Sequence, residues 1–194
     1  MKIYYDFQTL LNQRFGGISR YFFEIISRLK ELSDLNINIQ CFHSRNYYFK
    51  NQFRMVNIHN RIINGIDYRF ASFVNKLIAL HEIKLKNYDI IHPTYYNPYI
   101  LKSPVKESCL IVTVHDMIHE KYIKQYPQLG TRDIEHKRIM VNAADWIIAV
   151  SECTKQDLLY YYPHLKEERI SVIYHGSSYN PKVFNTHKLG GVHI

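Results

Sequence analysis

Short apolar runs of strand length alternate with longer stretches of helical period along this chain, and that alternation constrains the fold more than any other feature. It is the pattern of βαβ units, in which helices bury both faces of a parallel sheet. Lys2 to Tyr5 reads as a first strand. Ile18, Tyr21, Phe22, Ile25, Ile26 and Leu29 then recur at helical spacing, and Ile37, Ile39 and Cys41 alternate as a second strand. Helical spacing returns at Phe70, Phe73, Val74, Leu77 and Ile78 and feeds a short buried run, Asp89 to His92, closed by Pro93. Leu110 to Val114 and Trp146 to Val150 are continuous and rich in β-branched residues, as strands covered on both faces should be. A helix around Ile134 to Ala144 separates them. Ser151 reads as the N-cap of a helix that stops before Pro163, and Ile170 to Tyr174 forms the last strand.

The chain has 194 residues, 46% of them hydrophobic, enough for one well-buried core. The expected fold is therefore α/β: a Rossmann-like, doubly wound parallel sheet with helices on both faces, spanning residues 1–176. Residues 177–194 carry no strand or helix signal and read as a linker-like tail. Between His43 and Gly65 the periodicity also fades, and a long irregular loop is expected there. No stretch reads as a signal peptide or as an apolar run long enough to span a bilayer, so a cytoplasmic location is expected. Cys41, Cys109 and Cys153 are odd in number and far apart, which gives no basis for a disulfide framework or a four-ligand zinc site.

The formal net charge of +8 fits an anionic partner, and phosphate-bearing small molecules, nucleic acid and acidic membranes all qualify. From Arg45 to Arg61, basic residues interleave with Tyr47, Tyr48, Phe49 and Phe53 without a single acid. That stretch reads either as a solvated loop or as a peripheral contact with an anionic membrane surface or a lipid-linked partner. No RNP, KH or helix-turn-helix pattern accompanies the charge, so no nucleic-acid partner is expected.

Open parallel sheets bind ligands at the carboxyl ends of their strands, where loops and helix N-termini converge with unpaired N–H groups. The residues that follow each strand are therefore the candidates. After the first strand come Gly16-Gly17 and, one turn on, Arg20; after the Asp89 strand come Thr94, Tyr95, Tyr96 and Asn97. His115-Asp116, Ser151-Glu152 and His175-Gly176 follow the later ones. A glycine pair opening a helix lets backbone approach a phosphate, although it also serves as a plain tight turn. His115 with Asp116 could hydrogen-bond a sugar or carry a proton, or the two could simply cap the strand. His115 and His119 have the i, i+4 spacing of metal ligands, but that geometry needs a helix and they follow a strand directly, so no metal is expected.

Gly16-Gly17-Ile18-Ser19-Arg20-Tyr21, Val114-His115-Asp116-Met117, Val150-Ser151-Glu152 and Ile173-Tyr174-His175-Gly176, in this order and spacing, resemble the N-terminal half of the family-four (group one) nucleotide-sugar glycosyltransferases. The resemblance covers roughly residues 1 to 185. It implies one half of a GT-B enzyme, whose N-terminal domain holds the acceptor and whose C-terminal domain grips the nucleotide-sugar. It further implies transfer with retention of anomeric configuration, to a glycan or lipid-linked acceptor, in polysaccharide or glycoconjugate biosynthesis, with no cofactor or metal. By similarity, Gly16 and Gly17 would border the donor diphosphate, His115 would contact the transferred sugar with Asp116 beside it, and Arg20, Tyr95, Ser151 and Glu152 would shape the acceptor side. The family's pair of glutamates separated by seven residues belongs to the second domain, and no such pair occurs here. The donor-binding domain is thus expected to be missing from these residues and the chain by itself inactive. The competing expectation is a non-catalytic half-domain that binds an acceptor or a partner. A location at the inner face of the membrane would suit a lipid-linked acceptor.

Overall fold

The computed structural model describes residues 1–50, 67–103 and 107–176. Six strands form one all-parallel sheet: β1 (Lys2–Tyr5), β2 (Asn36–Ile39), β3 (Ile90–His92), β4 (Cys109–Val114), β5 (Trp146–Ala149) and β6 (Ile170–Val172). Their order is β2-β1-β3-β4-β5-β6, so the winding reverses between β1 and β3. The helices are α1 (Gln8–Asn12), α2 (Gly17–Leu29), α3 (Tyr47–Lys50), α4 (Tyr68–Leu85), α5 (Ile118–Tyr122), α6 (Arg132–Ala143) and α7 (Glu152–Tyr161). This is the doubly wound α/β fold that the alternating pattern implies.

Alternate strand residues show which helix covers which face. Tyr5 packs its ring at 6.1 Å from Phe22 of α2, while Tyr4, one residue earlier, packs at 5.1 Å from Tyr88 just beyond α4. The side chains of a strand point alternately to the two faces, so α2 and α4 lie on opposite sides of the sheet. Right-handed crossovers require this, because β1 to β2 runs one way and the later strands run the other. Phe22 and Ile26 of α2 are fully buried, as are Ile91, Val114 and Ala149 of the central strands.

Three expectations need correction. Cys41 is not part of β2, which stops at Ile39 because its partner β1 stops at Tyr5; Cys41 instead donates its Sγ–H to the His43 carbonyl at 2.8 Å. Likewise β6 ends at Val172, opposite the last residue of β5, although the Ile173 N–H still reaches the Ala149 carbonyl at 2.9 Å. The expected loop from His43 contains the short helix α3, which starts where Asn46 Oδ1 accepts the Tyr48 N–H at 3.0 Å. The rest of that loop and of the basic segment, from residue 51 to 66, lies outside the described residues, as does the tail 177–194.

Helix α4 also turns a different face inward than its large apolar residues suggest. Ala71, Asn75, Ala79 and Glu82 are buried, while Phe73 and Leu77 are 59% and 52% exposed. Two alanines let the helix approach closely, and Asn75 bridges the chain after β2, accepting from the Phe42 N–H at 2.6 Å and donating to the His43 carbonyl at 3.2 Å. Asp67 caps the helix through the Arg69 and Phe70 N–H groups. No helix among the described residues is long and apolar enough to cross a membrane.

Candidate functional site

The switch point between β1 and β3 is plugged rather than open. Asp6, at the end of β1, has no solvent exposure and accepts from the Thr94 N–H at 2.8 Å, Thr94 Oγ1 at 2.7 Å, Gln8 Nε2 at 2.7 Å and the Tyr99 hydroxyl at 3.0 Å. Burial raises the Asp6 carboxyl above its ordinary value, and the donors from Thr94 and Gln8 pull it partly back. The two loops that diverge here are thus tied together by one side chain, and the usable space lies to either side of the tie.

On one side, a cleft of about 500 Å³ runs between α2 and the chain leaving β6, lined by Gly17, Arg20, Tyr21, His175 and Gly176 among others. On the other, a polar cleft of about 350 Å³ is enclosed by α1, the start of α4, the loop after β3 and the start of α6. The corner Gln13 to Gly17 divides them, with Gln13 lining the second cleft and Gly17 the first. Gln13 Oε1 accepts the Ser19 N–H at 3.2 Å and so caps α2 from outside. The N–H groups of Gly17 and Ile18, in the first turn of α2, have no acceptor among the described residues, which leaves them as the donors that a helix N-terminus offers to an anion.

Gly16 leaves room for the Gln13 side chain at this corner. A Cβ there would lie 2.3 Å from Gln13 Oε1, whereas a Cβ on Gly17 meets nothing within 4 Å. Gly16→Ala is therefore expected to displace the Gln13 cap, costing about 1 kcal/mol, or a fall of roughly 2–4 °C in Tm for a domain of this size. Gly17→Ala should leave the melt unchanged; equal shifts for the two variants in a thermal scan would refute the role of the close contact.

His115 lines neither cleft but packs against the wall of the first and is linked to the second through Tyr96. Its ring packs edge-on against Tyr21 at 5.1 Å and lies 6.0 Å from His175, both of which line the first cleft. Its backbone N–H donates to the Tyr96 hydroxyl at 3.2 Å, and Tyr96 packs at 4.8 Å on Tyr95, which lines the second. Burial first, then the neighbouring His175, depress the imidazole to about 4, so it is neutral at physiological pH. Nε2 is buried and has no hydrogen-bond partner among the described residues. Behind it, the fully buried Lys137 of α6 holds the loop: Nζ donates to the Asp116 carbonyl at 2.8 Å and pairs with Glu120 at 2.9 Å, while Glu120 accepts the Tyr162 hydroxyl at 2.9 Å.

The structure brings Gly17 and Arg20 together with His175 in the first cleft and puts Tyr95 in the second. Gly16 forms the N-cap of α2 between them. Asp116 Oδ1 accepts the Ile118 N–H at 3.1 Å, so the carboxylate caps α5 beside the imidazole. Ser151 caps α7 through the Thr154 N–H at 3.1 Å, Glu152 occupies the first turn of that helix, and neither lines either cleft. His119 lies on α5, which starts after His115, and faces Asp133 at 3.6 Å. Among the described residues no group of three His, Cys, Asp or Glu is placed to hold a metal ion. Asp6, Gln8, Arg132 and His136 escaped the strand-end reading; the lone acid directly after β1 and the Arg132-Asp133 pair opening a helix are the signals that could have found them.

The family model for Glycosyltransferase Family 4 matches residues 15–178. No curated protein sequence matches the chain. Among solved structures, the apo form of the lipopolysaccharide outer core galactosyltransferase WaaB aligns over 93% of this chain and 47% of its own, with a TM-score of 0.57 and 16% identity. A UDP-N-acetylglucosamine 2-epimerase aligns over 89% of this chain and 46% of its own, with a TM-score of 0.51 and 14% identity. The chain thus spans about half the length of the solved structures it matches. At such identities these likenesses show the fold alone; the family match runs through the glycine corner, His115 and the His175-Gly176 wall, and this chain belongs to Glycosyltransferase Family 4.

Proposed function

We propose that this chain is the acceptor-side half of a transferase that moves a sugar from a nucleotide-sugar donor to a glycan or lipid-linked acceptor with retention of configuration. The observation that carries the reading is the first cleft, where a glycine corner opens helix α2 and where His115 packs behind the wall residues Tyr21 and His175. In the first cleft, the free N–H groups of α2 with His175 suit the donor diphosphate, and Arg20, assigned to the acceptor side by the resemblance, lines that same cleft. The polar second cleft suits the acceptor hydroxyls. His115, neutral and with an unmatched Nε2, suits a hydrogen bond to the sugar in transit.

In that reaction the bond between the anomeric carbon and the diphosphate oxygen breaks, the acceptor oxygen bonds the same carbon, and the hydroxyl proton leaves with the diphosphate. Cations that neutralise the leaving diphosphate supply much of the catalysis in such sites, and the glutamate pair of the second domain has no counterpart in these 194 residues. The donor's base, ribose and most of its diphosphate would be held across the cleft by a C-terminal GT-B half. A site in polysaccharide or glycoconjugate biosynthesis, at the inner face of the membrane, follows from a lipid-linked acceptor.

A fold-alone reading as a non-catalytic acceptor-binding half is the competitor, and one experiment separates the two. Transfer from a panel of UDP- and GDP-sugars is measured for the 194-residue polypeptide alone and after supplying a matching C-terminal half. The expected result is no turnover alone and measurable turnover when completed. Robust turnover by the polypeptide alone would overturn the division of labour, and silence in every completed pair would favour the binding module.

A further inference from the structure

The second cleft offers hydrogen-bond donors and a cation, Arg132, that the described fold does not use. Arg132, on the first turn of α6, lines it and has no ion-pair or hydrogen-bond partner among the described residues. Lys76 of α4 and Lys102, in the 3-10 turn Pro98–Lys102, do not line the cleft, but they lie close enough to Arg132 to act on the same region: Lys76 is depressed by burial first and then by Arg132 and Lys102. His136, one turn along α6, also lines the cleft and is depressed by burial, then by Arg132, with Lys76 adding to it and Asp133 and Glu135 opposing.

The two acids offset this group only in part, although Asp133 also lines the cleft. Glu135 is taken by Arg138, at 2.9 and 2.7 Å, and Asp133 meets the Tyr95 hydroxyl at 3.5 Å and His119 at 3.6 Å. The amides add donors of their own. Asn12 Oδ1 accepts the Tyr68 hydroxyl at 2.6 Å and Gln13 Oε1 accepts the Ser19 N–H at 3.2 Å, which leaves both amide NH₂ groups without an acceptor among the described residues. Clustering like charges costs free energy in the empty fold, and an anion in the cleft removes that cost.

We propose that the second cleft recognises an anionic group, a phosphate or a carboxylate, carried on the acceptor, with Arg132 as its principal ligand, the Asn12 and Gln13 amides in support, and Lys76 adding positive charge from outside the lining. The identification of the group as part of an acceptor rests on the transferase reading; the anion site itself does not. An arginine fork suits both oxyanions, and the neutral donors beside it fix orientation as they do in other polar sugar sites.

The test is binding to the 194-residue chain, followed by ¹⁵N NMR titration with glucose 1-phosphate, glucuronate and the uncharged methyl glucoside. Expected is binding of one or both anions at least about tenfold tighter than the neutral sugar, lost in Arg132→Gln and weakened in Lys76→Gln. Lys166→Gln, an exposed charge at the entry to β6, should leave it unchanged. Preference for the phosphate assigns a phosphorylated or pyrophosphate-carried acceptor, and preference for glucuronate assigns an acidic sugar; both support the site. Equal affinity for charged and neutral sugars, or the same loss in Lys166→Gln as in Arg132→Gln, would overturn it. Because the readout is binding, anion recognition with no transfer in any completed enzyme would leave this site standing while counting against the transferase.

Discussion

Replacing His115 by alanine in an enzyme completed by its C-terminal half is expected to lower kcat by roughly ten- to a thousandfold, with KM nearly unchanged. The range is that for loss of a single well-placed donor or proton-transfer group at a transition state. The argument starts from a cost: Nε2 is buried with no partner among the described residues, and an unsatisfied buried polar atom destabilises a fold by about 1–3 kcal/mol. A ligand that supplies the partner relieves this, and it relieves it most if the bond forms as charge moves in the sugar. Burial and His175 keep the imidazole near 4, so it acts as a neutral hydrogen-bonding group rather than as an acid. The dependence of kcat on pH should therefore show no His115 inflection near the ordinary histidine value. His115→Gln, which keeps a donor and cannot titrate, should recover part of the lost rate. Unchanged turnover in His115→Ala would reduce the residue to a cap on β4.

Why some of this was legible and some not can be read from particular residues. The strands were visible because a strand buried on both faces is written as a continuous apolar run, as in Leu110 to Val114, and their exits pointed to Gly17, Arg20, Tyr95 and His115. The strand ends were not, since β2 and β6 stop where their neighbours stop and that limit lies in another part of the chain. Helices α1, α3 and α5 are too short to show a period; each begins where an Asx carbonyl accepts an N–H two residues on, from Asp6, Asn46 and Asp116. The Asp6 tie joins residues 88 and 93 positions apart, which no local pattern encodes. The same holds for the second cleft, whose Arg132 and His136 come from a helix that does not directly follow a strand. The cap at Ser151 was legible because the serine directly precedes its helix, whose Thr154 N–H it accepts.

The largest effect on stability should come from acid. His92 is sandwiched between Tyr5 at 5.2 Å and Phe22 at 5.3 Å, bonded to Thr113 Oγ1 at 2.9 Å, and burial, with His115 next to it, depresses it to about 3. His115 is depressed to about 4. An unfolded chain protonates both at the ordinary value of about 6.5, so below that pH the unfolded state binds protons that the native state refuses. Stability is therefore fully present above about pH 6.5 and falls as pH drops through the window between that value and the native ones. At about 1.4 kcal/mol per unit for each histidine, the two together remove on the order of 4 kcal/mol between pH 6.5 and 5. That is a large share of the 5–15 kcal/mol typical of a domain. Glu82, whose carboxylate is held below its ordinary value by Lys86, Tyr88 and Asn38 against its own burial, acts in the same direction, while Asp6, raised by burial, acts against it. Urea denaturation at about pH 7.5 and pH 5 should thus show a much lower midpoint at the acid value. His92→Gln cannot titrate and should lose about half of that pH dependence, whatever it does to stability at neutral pH. Equal midpoints for the unaltered chain at the two pH values would mean that the histidine face beneath α2 is hydrated, and the neutral role assigned to His115 would fail with it.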